Sequence, residues 1–343
     1  MNRFVKNLFM CALGPACLCV ALSGCDFRRH KTFSGKTMGT VYHVTVVTSA
    51  FSRTGPLKTK VERRLAEINA SMSTYMAASE ISRFNNETGP DQPFAVSADF
   101  LKVAAAGRDL FQMTGGAWDG SVWPLVQLWG FDRPGRQIVV PDPSQIEKAL
   151  ACVGYDRLLI DDAGRLTKTS PCLFLDFASI AKGYGVDAVA EVIKAAGIDN
   201  FIVEIGGEVY AAGVRRNGAP WRIGINMPEP GAPTDQVRQV VVLSNRAMAT
   251  SGDYRNYFIL DGRTYSHVMD PRTGYPVNNG VVSTTVVAGD CTFADGLATA
   301  LMVMGAGPGT ALVDTLDNVE SLITVRRPDG TYEDFRSKGF VAR

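Results

Sequence analysis

The sequence predicts a mixed α+β fold, because strand patterns and amphipathic helix patterns alternate along the chain. The stretch 173–213 shows this best, since it predicts a short strand at 173–175, then a helix, then a second strand. Val186, Val189 and Ile193 recur at helical spacing, and a glycine ends the helix before a buried apolar run. With 343 residues, the chain has room for one large domain or two ordinary domains with a substantial core.

Elements of both kinds also precede this stretch. Residues 40–48 predict a strand, and the apolar spacing along 61–72 predicts a helix. A second helix opens with a capping serine and covers 97–112. It ends in the glycine-rich segment 114–119, and an irregular, aromatic-rich passage follows over 123–131.

The second half of the chain continues in the same style. Residues 240–243 and 281–288 predict strands, and 292–301 predicts a helix. An Asp-Gly pair joins 257–260 to 264–268, which is a strong signal for a β-hairpin.

Composition is that of a globular enzyme. The formal net charge is +1, so nothing indicates binding to nucleic acid, and low-complexity segments are absent from the sequence.

Residues 1–24 predict a targeting segment rather than part of the fold. Arg3 and Lys6 precede an apolar run that is shorter than the roughly 20 residues a membrane-spanning helix needs. The run ends in Leu-Ser-Gly before Cys25, the pattern of a bacterial lipoprotein signal. We expect lipidation of Cys25, and Asp26 indicates retention on the periplasmic face of the inner membrane. The alternative is an uncleaved signal anchor.

The mature chain is expected to consist of two parts. Residues 25–35 are expected to form the lipidated cysteine and a polar tether, and 36–343 the folded domain. Three cysteines remain after Cys25. Cys152 and Cys172 flank a predicted hairpin and are therefore the expected disulfide pair, whereas Cys291 is left over.

Histidine is scarce. Only His43 and His267 lie in the part expected to fold, which excludes a zinc site built from three histidines. A metal would be held by oxygen ligands instead.

The helix start after Asp176 has an unusual composition. Gly183 and Gly185 each weaken a helix by roughly 1 kcal/mol, so we expect a large ligand against this backbone. Helix starts favour anions, and Lys182 adds a cation. The alternative is helix-packing glycines and a surface lysine.

Asp295 and Thr299 are four residues apart, so their oxygens share one helix face and could bind Mg²⁺. Alternatively, the aspartate is solvated and the threonine bonds back to its own helix. Tyr75 and Trp118 could stack on a flat ligand, although the residues alone favour a core position for Trp118.

Five segments, taken in order, resemble the FAD:protein FMN transferases of the ApbE family. They are 38–40, 72–85, 115–131, 176–187 (DFASIAKGYGVD) and 266–277 (SHVMDPRTGYPV). The resemblance extends from about residue 36 to the end of the chain. It implies two interleaved lobes with FAD in the cleft between them.

The resemblance also implies a reaction. Family members use Mg²⁺ to transfer the FMN half of FAD to a threonine or serine hydroxyl of an acceptor protein, releasing AMP. The acceptors it implies are membrane or periplasmic subunits of electron-transfer complexes. Site residues follow from matching positions: FAD at Met38, Tyr75, Ala117, Trp118, Asp119, Asp176, Lys182 and Met269; metal at Asp295, Thr299 and a backbone carbonyl near Ser179.

His267 is the histidine that lies within a motif, so we expect it to act as the base for the attacking hydroxyl or to orient the phosphate. The alternative is a capping contact to the turn that follows it. Other functions also remain open at this point: a Mg²⁺-dependent FAD pyrophosphatase giving FMN and AMP, or a flavin-binding lipoprotein without catalysis. A flavin oxidoreductase is disfavoured, because no GxGxxG motif follows a predicted strand.

Overall fold

A computed structural model describes residues 28–87, 89–132, 140–229, 236–253, 257–260 and 263–342. The helices in these ranges are α1 (Gly55–Met72), α2 (Glu80–Glu87), α3 (Ala98–Met113), α4 (Trp123–Leu128), α5 (Pro143–Leu150), α6 (Ala181–Ala195), α7 (Cys291–Met304) and α8 (Ala306–Val313). The strands are β1 (Arg28–Thr37), β2 (Thr40–Ser49), β3 (Phe94–Ala95), β4 (Leu158–Ile160), β5 (Arg165–Lys168), β6 (Phe201–Ile205), β7 (Glu208–Ala212), β8 (Trp221–Asn226), β9 (Val237–Leu243), β10 (Arg246–Gly252), β11 (Tyr257–Leu260), β12 (Arg263–Ser266), β13 (Val281–Ala288), β14 (Glu320–Arg326) and β15 (Tyr332–Arg336).

The α+β class is confirmed, and a single antiparallel sheet dominates the molecule. Its eight strands lie in the order β1-β2-β6-β7-β10-β13-β14-β15. Apolar residues of α1 and α6, such as Val61 and Val189, pack against one face of the sheet. The β8–β9 pair covers part of the other face, where Trp221 joins a separate cluster. Because both faces are covered, all eight residues of β13 are buried.

The short strand predicted at 173–175 is wrong, because this run is irregular although it lies in the core. Leu173 and Leu175 are buried, which explains the apolar pattern. The backbone of Leu175 bonds to a side chain instead of a strand: its N–H donates to Asn85 Oδ1 at 2.8 Å, and its carbonyl accepts from Asn85 Nδ2 at 2.9 Å. The next residue, Asp176, donates its N–H to the carbonyl of Gly120 at 2.7 Å. The side chain of Asn85, which belongs to α2, thus fixes the segment that leads into α6.

The predicted tether also needs correction. Residues from Arg28 onward form β1, which pairs with β2 over its full length of 10 residues. The fold therefore begins about eight residues before the predicted boundary at 36. The targeting segment 1–24, Cys25 and Asp26 lie outside the described residues. None of the described helices is both long and apolar enough to cross a membrane.

The expected disulfide is present. Cys152 and Cys172 are bonded, with their Cα atoms 5.2 Å apart, and the β4–β5 hairpin lies between them as predicted. Cys291 is free and buried. The hairpin of β11 and β12 is also confirmed by its register, although the Asp-Gly pair between the strands lies outside the described residues.

The glycines of α6 serve helix packing. A Cβ atom on Gly183 would lie 2.3 Å from the carbonyl oxygen of Cys291, so α6 and α7 cross with their backbones in contact. A Cβ atom on Gly185 would lie 2.9 Å from Met38. The expectation that a large ligand lies against these two glycines is therefore wrong, and the packing alternative holds.

Candidate active site

A cavity of about 400 Å³ opens at one end of the large sheet. It lies between the start of α6, the β6–β7 turn, the end of β10, helix α7 and the loop segments 117–132 and 267–271. Nearly every residue that the sequence placed in the site lines this cavity: Tyr75, Ala117, Trp118, Asp119, Asp176, Ser179, Lys182, His267, Met269, Asp295 and Thr299. Five segments that are distant in sequence therefore meet at one place.

Met38 is the exception. It sits in the β1–β2 turn with φ at 47°, and its side chain packs against Gly185 and the core rather than lining the cavity. The turn itself adjoins the site, because Thr40 and Lys182 both approach Gly206.

A cluster of three charges forms the floor of the cavity. Lys182 Nζ lies 2.5 Å from Glu208 Oε1 and 3.8 Å from Asp295 Oδ1, and the two carboxylates are 2% and 3% exposed. Burial disfavours the charged ammonium, but the carboxylates of Asp295 and Glu208 outweigh it and raise the pKa of Lys182 to about 12. The lysine is thus a permanent cation at neutral pH, and the surface-lysine alternative is wrong.

Burial and the nearby Asp295 carboxylate raise the pKa of Glu208 above its ordinary range, against the opposing effect of Lys182. Its second oxygen, Oε2, is buried and has no hydrogen-bond partner among the described residues. A buried carboxylate oxygen without a partner costs free energy, so this atom has an open position for a donor or a cation.

The oxygens of α7 suit a hard cation. Asp295 Oδ2 accepts the N–H of Gly183 at 2.9 Å, and Oδ1 faces Lys182. Thr299 shares a hydrogen bond of 3.1 Å with Ser251 rather than bonding back to its own helix. The solvated-aspartate alternative is therefore wrong.

Within the described ranges, no group of three or more His, Cys, Asp or Glu side chains could hold a metal. A cation site here would combine the Asp295 carboxylate and the Thr299 hydroxyl with the backbone carbonyl of Ser179. The hydroxyl of Ser179 accepts a hydrogen bond from Trp118 Nε1 at 3.1 Å. This all-oxygen set fits Mg²⁺, which keeps water and phosphate in its remaining positions.

Asp119 differs from these groups although it lines the same cavity. Its Oδ1 accepts from the N–H and the hydroxyl of Ser121 at 2.7 and 2.6 Å, and its Oδ2 accepts from the N–H of Tyr155 at 3.1 Å. Burial raises its pKa, and these hydrogen bonds oppose that shift. Its carboxylate therefore holds the 117–121 loop in place.

Asp176 also lines the cavity. Burial raises the pKa of its carboxyl, and one hydrogen bond from the N–H of Ala178 at 2.9 Å opposes the shift. The segment that carries it is fixed by Asn85, so this carboxyl has a defined position at the cavity.

Aromatic and apolar side chains form one wall of the cavity. Trp118 is 1% exposed and packs edge-on against Tyr155, so the core position favoured for it is confirmed, while its indole also reaches the cavity. Trp123 and Phe131 extend this wall, and Tyr75 stands at the mouth with 86% of its surface exposed. Such a wall suits a flat ring system.

His267 lines the cavity just after β12. The turn that follows is closed by Asp270, whose carboxylate accepts from the N–H of Arg272 at 2.9 Å and whose carbonyl accepts from Gly274.

Sequence reasoning missed Glu208, Ser251 and Asn85. The first two line the cavity, and Asn85 positions the segment next to Asp176. A charged residue after Gly-Gly between two apolar runs was the available signal for Glu208.

Comparison with known proteins agrees with this arrangement. The sequence model of the ApbE family matches residues 38–323. The FAD:protein FMN transferase of Vibrio cholerae is 43% identical over 323 residues, which cover 93% of this chain and 94% of that protein. The FAD:protein FMN transferase of Haemophilus influenzae is 40% identical, with 87% of each protein covered.

Solved structures give the same result. The flavin transferase ApbE from Vibrio cholerae matches with a TM-score of 0.82 at 41% identity, over 91% of this chain and 98% of that one. The apo flavinyl transferase ApbE of Pseudomonas stutzeri has the same TM-score at 38% identity, over 91% of this chain and 96% of that one. The fold and the site thus define an enzyme that transfers flavin from FAD.

The chain belongs to the ApbE family. Its activity is that of a FAD:protein FMN transferase, with FAD as one substrate and a protein as the acceptor.

Proposed function

We propose that this enzyme uses Mg²⁺ to transfer the FMN half of FAD to a threonine or serine hydroxyl of its acceptor and releases AMP. The observation that carries the proposal is the convergence in one cavity of Lys182, the oxygens of Asp295 and Thr299, and His267. The aromatic wall of the same cavity suits the flavin ring.

The proposed step breaks one phosphoanhydride bond and forms one phosphoester bond. The acceptor oxygen attacks the phosphorus of the FMN half, AMP leaves with the bridging oxygen, and the hydroxyl proton passes to His267. When bound by Asp295, Thr299 and the Ser179 carbonyl, Mg²⁺ supplies charge neutralisation on the phosphoryl oxygens. Lys182 binds the pyrophosphate and is held in place by Glu208. The Trp118 wall excludes water from one side of the site.

We also propose that the chain is lipidated at Cys25 and anchored on the periplasmic face of the inner membrane. The lipoprotein pattern of residues 1–24 supports this. The acceptor would then be a membrane or periplasmic subunit of an electron-transfer complex.

The test uses the full chain in detergent with FAD, Mg²⁺ and a candidate acceptor. Flavin fluorescence that stays on the denatured acceptor, with one AMP released per flavin attached, is the expected result. An acceptor whose target hydroxyl is replaced by alanine is the matched control, and EDTA should abolish labelling. AMP and FMN without any labelled acceptor, for every acceptor tried, would instead indicate a FAD pyrophosphatase. FAD recovered intact would contradict catalysis altogether.

A further inference from the structure

Exposed and half-buried cations cluster at the end of the large sheet opposite the cavity. They lie at the start of β1, in the turn between β2 and α1, and in the segment between β7 and β8. We call this surface the basic end face; it comprises Arg29, Lys31, Phe51, Arg53, Val214, Arg215 and Arg216. Hydrogen bonds join the three segments: Lys31 Nζ donates to the carbonyl of Ala50 at 2.8 Å, and the N–H of Arg216 donates to His30 Nε2 at 3.1 Å.

The charge on this face is not neutralised by the surrounding protein. Among the described residues, Arg29, Arg53, Arg215 and Arg216 form no ion pair with a carboxylate. One acidic residue, Asp199, lies beside the end of β7 near Gly213. The face therefore keeps a strong net positive charge, although the chain as a whole carries only +1.

Two exposed apolar side chains belong to this face. Phe51 is 83% exposed in the β2–α1 turn, and Val214 is 37% exposed in the segment after β7. Lys31 binds the carbonyls on both sides of Phe51, those of Ala50 and Ser52, and so holds the tip in position. Exposed apolar side chains ringed by arginine and lysine are typical of surfaces that enter the interface of an anionic bilayer.

The position of Cys25 in the sequence also places the proposed lipid near the basic end face. Cys25 precedes Arg28 by three residues, which can span at most about 10 Å. If Cys25 carries lipid, as proposed above, the bilayer surface must lie within that distance of the start of β1. Each lysine or arginine near an anionic surface adds to the electrostatic attraction.

We propose that the basic end face docks on anionic phospholipid headgroups and that Phe51 inserts into the interface. This inference rests on the proposed lipid anchoring, but not on the identity of the acceptor. It sets the orientation of the enzyme, because the β1–β2 turn adjoins the cavity at the other end of the hairpin. Ten strand residues span about 30 Å, so the cavity stands about that far above the membrane. The acceptor must then present its hydroxyl at that height.

The experiment uses the full lipidated chain reconstituted in vesicles of neutral phosphatidylcholine, with or without anionic phosphatidylglycerol. A tryptophan at the tip, Phe51→Trp, reports insertion through quenching by brominated acyl chains. Val237→Trp is the matched control, because Val237 is 49% exposed but lies at the far end of the β8–β9 pair from Trp221, which contacts His30. Unsubstituted protein gives the background from its own tryptophans.

The expected result is quenching of the tryptophan at 51 in anionic vesicles, at least about twofold above that at 237, with little quenching in neutral ones. Replacing Arg29, Arg53, Arg215 and Arg216 by glutamine should remove at least half of it. The control variant carries glutamine at four cations elsewhere and should keep the quenching. These are Arg83 on α2, Lys102 on α3, Arg165 on β5 and Lys338 after β15. Quenching that is absent, or equal in neutral and anionic vesicles, overturns the proposal.

Two further measurements separate the proposals. The mass of the amino-terminal peptide reports the lipid on Cys25, and its absence would remove the anchoring on which the orientation depends. Flavin transfer in detergent should be unchanged in the arginine variants, because these residues are far from the cavity. A failure of transfer in the unsubstituted chain would overturn the proposed reaction and leave the vesicle result standing.

Discussion

Asp119 and Asp295 are both buried carboxylates that line one cavity, but their oxygens are used differently. Asp119 accepts three hydrogen bonds from Ser121 and Tyr155, which lie on its own wall of the site. Asp295 accepts one, from Gly183, and otherwise faces Lys182 across 3.8 Å.

The number of hydrogen bonds that a buried carboxylate accepts separates two kinds of site residue. A carboxylate whose hydrogen bonds are complete within the protein stabilises the shape of a cavity. One with an open oxygen can bind a cation or a ligand, and its free energy of burial is offset only when that partner arrives. Burial alone does not distinguish them, because both are less than one-tenth exposed.

Asp295→Asn should have the largest effect on activity. It keeps the size of the side chain but removes the negative charge that the proposed cation site needs. We expect flavin transfer to fall by about 100-fold or more at a fixed Mg²⁺ concentration, with partial recovery at high Mg²⁺. The measurement is the initial rate of acceptor labelling against Mg²⁺ concentration. Wild-type rates at low Mg²⁺ would contradict the assignment of Asp295 as a ligand.

His267→Ala should lower activity by a comparable factor. Loss of a general base typically lowers the rate by about 10²–10⁴-fold, while FAD binding should stay near its original strength. Single-turnover labelling gives the rate, and a titration of flavin fluorescence gives the affinity. His43→Ala is the control, because His43 is exposed on β2 and pairs with Glu204 away from the cavity. Equal losses of rate and affinity would point to a role in binding instead.

Asp119→Ala should act mainly on stability. The substitution leaves the buried N–H groups of Ser121 and Tyr155 without an acceptor, so we expect the free energy of unfolding to fall by about 2–4 kcal/mol. Denaturant unfolding monitored by tryptophan fluorescence measures this change. Asp161→Ala is the control, since Asp161 accepts similar backbone hydrogen bonds from Ala163 and Arg165 but is exposed. It should have a much smaller effect, and similar losses in the two variants would contradict the argument from burial.

The sequence predicted much of the fold because local patterns and burial agree along most of the chain. The helix 181–195 and the strand 281–288 follow this rule. The run 173–175 does not, because its apolar residues are buried without strand pairing and Asn85 binds their backbone instead. Asn85 and Leu175 are 90 residues apart in the sequence, so the contact between them produces no local sequence pattern.

The residues around the cavity were predicted from their positions in sequence motifs. The motifs did not show which polar atoms of these residues lack a hydrogen-bond partner within the protein. Glu208 follows two glycines and gives little sign of its burial, whereas Met38 matches a motif yet packs against Gly185. Contacts between distant segments decide both cases.

Asp187 extends the comparison to a third buried carboxylate. It lies on α6 and accepts hydrogen bonds from the N–H groups of Cys291 and Thr292, at 2.9 and 2.8 Å, and from the Thr292 hydroxyl. It thereby caps α7 while Asp295 of α7 binds the backbone of α6. Burial nevertheless raises the pKa of Asp187 from 3.8 to about 6, with Asp290 adding a small repulsion. These three hydrogen bonds thus reduce the upward shift that burial causes in the pKa of Asp187, but they do not cancel it.

A pKa raised in the folded state stabilises the protein at low pH. Below pH 4 the carboxyl is protonated in both states. Between about pH 4 and pH 6 the unfolded state ionises while the folded state keeps its proton, so this carboxyl should lower the free energy of unfolding by up to about 3 kcal/mol over that window and no further above it. In Asp187→Asn the fall in stability over this window should be smaller by that amount, whatever the absolute stability of the variant. Denaturant unfolding at several pH values between 4 and 7 measures the difference, and Glu191→Gln, an exposed position on the same helix, is the control. A pH profile that is unchanged by Asp187→Asn would mean that the hydrogen bonds from α7 fully offset the burial of this carboxylate.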